Sequence, residues 1–208
     1  MRIEIIYISG DYAVINKPAG MLTESSDSDS CAAEIREYLT ENSLPFEDVY
    51  TVHRLDRNTM GLMVYALTKK SAAELSRLIA GGEFHKTYRA LINPSEDLPE
   101  SGEMRDYLFF DRVRDKSFVV SENKKSAKLA VLEYRLGETV EVDGIAAREA
   151  WIQLKTGRTH QIRVQFASRR SPLIGDKKYG SRVNYRGCAL ASVKIEFPWN
   201  GKTAEYEI

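Results

Sequence analysis

Val52-His53-Arg54-Leu55-Asp56-Arg57-Asn58-Thr59-Met60-Gly61 runs without a break into Leu62-Met63-Val64-Tyr65-Ala66-Leu67, a charged loop followed by a short apolar run. The apolar run predicts a buried strand, and the loop before it gathers a carboxylate, a histidine and two arginines. A rigid element that holds a reactive loop is a common way to place chemistry. Downstream, Ser71 to Ala80 has a serine in capping position, Glu74 three residues later and Gly81-Gly82 as a stop, which predicts a helix. Upstream, Ile3 to Ile8 and Tyr12 to Ile15 flank the turn Ser9-Gly10-Asp11 and predict a hairpin, which Asn16-Lys17-Pro18-Ala19-Gly20 ends. Thr23 to Ser30 is polar and loop-like. Cys31 to Glu41 places Ala32, Ile35, Tyr38 and Leu39 on a helical period.

Beyond the second helix the chain is mostly strand material: Lys86 to Ile92, Tyr107 to Phe110, Ser117 to Val120, Ala127 to Leu136, Thr139 to Val142 and Ala147 to Leu154. One more helix is expected from about Thr159 to Ser168. A last strand, Leu190 to Phe197, is closed by Pro198, Trp199 and Asn200-Gly201. There is no internal repeat and no long low-complexity linker. The expectation is one α+β domain over residues 1–208, a mixed, largely antiparallel sheet flanked by helices and loops.

A chain of 208 residues with 43% hydrophobic content can bury a core without staples. Its two cysteines, Cys31 and Cys188, are far apart and in no ligand spacing, which points away from a disulfide framework or a zinc site and towards a reduced, cytoplasmic setting. The first twenty residues are interrupted by Glu4, Asp11 and Lys17, so no signal core or membrane span is expected there. Thirty basic residues balance thirty acidic ones, which argues against a generic nucleic-acid coat protein. The charge is nevertheless segregated. Between Lys155 and Arg186 nine basic residues face one acid, Asp176, and are interleaved with Tyr179, Tyr185 and glycines. A solvated face is one reading of such a run, and a grip on a phosphate backbone is the other.

Three stretches carry the chemistry. Asp56 is either a reactive carboxylate or an ordinary surface partner of Arg54 or Arg57. In Leu154 to Val164, a glycine-containing turn leads from strand to helix and Arg163 lies within the helix. Its planar fork could hold a carboxylate ionised and oriented, bind phosphate, or simply be solvated. In Lys86-Thr87-Tyr88-Arg89-Ala90, strand alternation sends Tyr88 to one face and Thr87 and Arg89 to the other, and a strand tyrosine is often core.

Taken together these segments resemble the RluA-type RNA pseudouridine synthases. HRLDRNTMGLMVYA is similar to the family's HRLD-x-x-T-S-G motif, YAVINKPAGM to its opening strand and K-P-x-G turn, and KTYRALI to its K-x-Y-x-A strand. GRTHQIRVQFA and GDKKYG resemble its later segments, in the family's order from Tyr12 to about Pro198. The resemblance implies that Asp56 is the catalytic carboxylate, that Tyr88 removes the proton from carbon 5 of the base, that Arg163 pairs with Asp56, and that Arg54 enters the RNA stack in place of a flipped uridine. Taken with the segregated basic stretch, the expected RNA-binding set is Arg54, His53, Lys155, Arg158, His160, Arg169, Arg170, Lys177 and Lys178. The resemblance also implies a structured ribosomal or transfer RNA as partner, no metal or other cofactor, and a monomer; from the sequence itself, no membrane contact is expected, nor the amino-terminal S4-like module that many members of that family carry. Met60, Gln165 and Ala191 depart from the family pattern.

Two other classes compete with this reading. A non-catalytic RNA-binding protein on the same fold would have no use for Asp56, Tyr88 and Arg163 together. A nucleoside or glycoside hydrolase normally needs two carboxylates at one bond, and the matched motifs supply one.

Overall fold

The computed structural model describes residues 3–25, 29–142 and 144–208. In chain order its elements are β1 (Glu4–Ile8), β2 (Tyr12–Lys17), α1 (Cys31–Glu41), β3 (Tyr50–Thr51), β4 (Met60–Ala66), α2 (Lys69–Gly81), β5 (His85–Ile92), β6 (Ser101–Asp111), β7 (Lys116–Val120), β8 (Lys128–Val142), β9 (Ile145–Leu154), α3 (Gln161–Ser168), β10 (Leu190–Trp199) and β11 (Lys202–Glu207). They fall into two compact units, Met1–Lys86 with Ala191–Ile208, and Thr87–Leu190.

In the first unit β1 and β2 form the expected hairpin, with Ile5 opposite Ile15 and Ile8 opposite Ala13. β2 pairs antiparallel with β4, β4 runs parallel to β10, and β10 turns back into β11. The sheet is mixed, with antiparallel pairing predominant. Residues Gly61 to Ala66 of β4 are all buried, which is why the sequence there shows a continuous apolar run rather than alternation. One face of the strand, Leu62, Val64 and Ala66, packs with Tyr12 and Val14 of β2, Leu75 and Leu78 of α2, and Ile195 and Phe197 of β10.

α2 begins two residues earlier than the sequence suggests. Its cap is Thr68, whose hydroxyl accepts from the Ser71 amide, and Ser71 returns the favour as the third helical residue rather than serving as the cap itself. Gly82 ends the helix in the left-handed region, as the Gly-Gly stop implied. α1 has the expected bounds and is capped by Ser30. Of the polar loop expected from Thr23 to Ser30, residues 26–28 lie outside those described. β10 does not stop at Phe197. Pro198 stands opposite Thr203, and Asn200-Gly201 is the turn of a hairpin into β11, a strand the sequence reading did not anticipate.

The second unit is an antiparallel sheet in the order β5, β9, β8, β6, β7. The two segments read as Ala127 to Leu136 and Thr139 to Val142 are one strand, β8, with an irregularity between Leu136 and Thr139 where Gly137 falls. α3 packs on β6 and β7, with Val164 against Leu108, Ala130 and Tyr179.

Candidate active site

Asp56 sits in the loop between β3 and β4, and the backbone on both sides of it is clamped. On the amino side, the Thr23 hydroxyl donates to the Leu55 carbonyl at 3.0 Å and accepts from the Leu55 amide at 3.3 Å. On the carboxyl side, the Asp56 carbonyl accepts from the Thr59 amide at 3.0 Å, closing a tight turn. That turn is gripped from inside by Lys17. Its fully buried ammonium donates to the carbonyls of Thr59 at 2.7 Å, Arg57 at 3.0 Å and Pro18 at 3.0 Å. Three acceptors match the three donors of an ammonium. The Arg57 carbonyl also accepts from the Gly20 amide at 2.8 Å, and Arg57 Nε donates to the Gly20 carbonyl at 2.8 Å. Burial lowers the Lys17 pKa to about 8, against the opposing influence of the Cys31 and Asp56 charges.

The loop enters β4 at Gly61, and there only glycine fits. Its φ is +107°, and a Cβ would lie 2.2 Å from the Ser192 carbonyl oxygen of β10. Arg54 and Met60 are exposed. His53 is half-buried: Nε2 accepts from the Val64 amide at 3.0 Å, and its ring lies beside Phe84. Burial, followed by the neighbouring Lys86 charge, holds its pKa well below the ordinary histidine value, so it is a neutral spacer between loop and strand.

In the second unit, Tyr88 is buried on β5 opposite Ile152, while Arg89 on the other face is exposed and pairs with Glu149. This is the alternation the sequence predicts. Arg163, buried on α3, presents a fork to Asp176: Nε donates to Oδ2 at 2.7 Å and Nη2 to Oδ1 at 2.8 Å. The Tyr179 ring lies 5.0 Å beneath the guanidinium, and the Tyr179 hydroxyl accepts from the Ser117 amide and hydrogen-bonds His160 Nδ1 at 2.9 Å. Burial raises the Tyr179 hydroxyl to about 12. His160 is itself buried, edge-on to Phe110, with a backbone in the left-handed region, so a phosphate contact from its ring would require that packing to open.

The basic stretch is less bare than its sequence. Lys155 pairs with Glu133, Arg169 with Asp106, Arg170 with Asp97 and Lys178 with Asp115, all acids from outside the stretch. Arg158, Lys177, Arg182 and Arg186 are exposed. Gln165, one departure from the family pattern, is buried and donates to the Met104 carbonyl and to Asp106, so it steadies the acid that meets Arg169.

Lys17, Thr23 and Asp176 were not singled out as site residues by sequence. Two had a legible signal: Lys17 is a cation closing an apolar strand, and Asp176 is the lone acid among nine bases.

A family model described as RNA pseudouridylate synthase matches residues 11–168. A protein of Vibrio cholerae named tRNA pseudouridine synthase C is 32% identical over 194 residues, covering 88% of this chain and 77% of that protein. A Yersinia pestis protein of the same name is 33% identical over 197 residues, covering 90% of this chain and 74% of the relative. The fold is similar to that of human RNA Pseudouridylate Synthase Domain Containing 1, with a TM-score of 0.81 at 20% identity over 100% of this chain and 83% of that one. The chain belongs to the RNA pseudouridylate synthase family, of the RluA type. It is accordingly an isomerase that acts on RNA.

Proposed function

We propose that the chain converts a uridine of transfer RNA to pseudouridine, with Asp56 as the essential carboxylate, Tyr88 as the proton acceptor and Arg163 as the cation that pairs with Asp56. The observation that carries this reading is the clamped turn: Lys17 and Thr23 fix the backbone on either side of Asp56, as precise chemistry at the sugar requires. The names of the Vibrio and Yersinia relatives support transfer RNA over ribosomal RNA.

The reaction breaks the bond from sugar carbon 1′ to nitrogen 1 of the base and forms one from carbon 1′ to carbon 5. Carbon 5 loses a proton and nitrogen 1 gains one, so mass is conserved. An ionised carboxylate at the sugar assists the first change, and a tyrosine at the base assists the proton's departure. Because both reacting atoms are shielded in stacked RNA, the uridine is extruded, and exposed Arg54 fills the gap it leaves. Arg158, Lys177, Arg182 and Arg186 supply phosphate contacts without breaking an ion pair among the described residues, whereas Lys155, Arg169, Arg170 and Lys178 must exchange a carboxylate for phosphate.

The test is a product assay with purified protein and transfer RNA transcripts. Pseudouridine at a discrete position, with unchanged RNA mass and no free uracil, is expected. Free uracil would make the chain a hydrolase, and conversion confined to ribosomal RNA would overturn the choice of substrate.

A further inference from the structure

The ion pair between Arg163 and Asp176 is built more firmly than solvation of an arginine requires. The two side chains are 8% and 1% exposed, and two parallel hydrogen bonds fix the plane of the guanidinium as well as its position. Asp176 in turn has little freedom. Its amide donates to the Leu173 carbonyl, and its carbonyl accepts from the amides of Tyr179 and Ser181. The residue before it, Gly175, has φ +77°, and a Cβ there would lie 2.1 Å from the Gly187 carbonyl oxygen, so the turn admits no side chain at that point. The segment is tied to β5, the strand of Tyr88, through the Ile174 amide donating to the Leu91 carbonyl at 2.8 Å. The Tyr179 ring lies against the Arg163 guanidinium.

A buried pair of this kind gives little net stability compared with an apolar replacement, but it fixes orientation. We propose that Asp176 is a positioning residue for the isomerisation, fixing the plane of the Arg163 guanidinium. This rests on the reading of Arg163 given under Proposed function. Asp176 touches neither base nor sugar in this scheme; it acts through Arg163 alone.

The experiment measures kcat and KM for pseudouridine formation on a transfer RNA transcript, normalised to the folded fraction by circular dichroism, for wild type, Asp176→Asn, Asp176→Glu, Arg163→Lys and the double variant Asp176→Asn/Arg163→Lys. Loss of the fork should lower kcat of Asp176→Asn by about ten- to a hundredfold, as a misplaced group does, with KM within about threefold. The double variant should be little slower than Arg163→Lys, because the fork is already lost there. Wild-type kcat per folded Asp176→Asn molecule, or losses that multiply in the double variant, would overturn the proposal by making the pair a strut of the fold. If Asp176→Asn does not fold, Asp176→Glu decides. It keeps the charge but displaces the fork, so a lowered kcat at unchanged KM supports positioning and a wild-type kcat overturns it. A wild type that forms no pseudouridine in any RNA would overturn the functional reading itself; normal wild-type turnover with an unmoved Asp176 series overturns only the role of Asp176.

Discussion

Lys17 shows how one side chain can serve a site it never has to touch. Its ammonium lies at the end of β2, fully buried, and satisfies three carbonyls, two of which belong to the turn that carries Asp56. The folded pKa of about 8 is below the ordinary 10.5, so between those values the unfolded chain keeps a proton the folded chain has released. Stability rises with pH wherever the unfolded state binds more protons. The stability of wild type relative to Lys17→Met, from chemical denaturation, should therefore increase as pH rises from about 8 to about 10.5 and be flat below about 7. A difference that stays constant throughout would show that the ammonium is not desolvated as described. Asp56 itself was legible from its motif. Lys17 was not assigned a role because its function depends on carbonyls at residues 57 and 59, and backbone acceptors leave no trace in side-chain identity.

Elements were readable where local chemistry decides them and unreadable where pairing does. α1 matches its periodicity to the residue, and α2 shifted only because Thr68 and Ser71 are both plausible caps and the tertiary bond from Ser71 to the Asp11 carbonyl selects the inner role for serine. β11 was missed because Lys202 to Glu207 is half charged and shows no apolar run; its register comes from pairing with β10. The parallel contact of β4 with β10 was equally hidden, and Gly61 is its signature. Ala at this position must adopt φ near +107° and push its Cβ into Ser192, two penalties that sum to roughly 2 to 6 kcal/mol. Gly61→Ala should lower the denaturation midpoint accordingly, with unchanged steepness. A midpoint within error of wild type would mean that the strands separate without cost.

For the whole molecule, the neutral balance of thirty basic and thirty acidic residues is reproduced only in part within the basic stretch: four of its cations meet acids brought in from β6, β8 and neighbouring loops, while Arg158, Lys177, Arg182 and Arg186 stay exposed. Sequence could count that charge but not cancel it, because Asp97, Asp106, Asp115 and Glu133 are distant in the chain. Phosphate binding then falls first to the exposed arginines and lysine, which separates affinity from chemistry. The separation makes one measurement decisive. Asp56→Asn removes the charge of the carboxylate while keeping its size, and pseudouridine formation on bound transfer RNA should be abolished, with RNA affinity held within a few fold of wild type. Substantial turnover by purified, folded Asp56→Asn would contradict the assignment of Asp56 as the catalytic carboxylate.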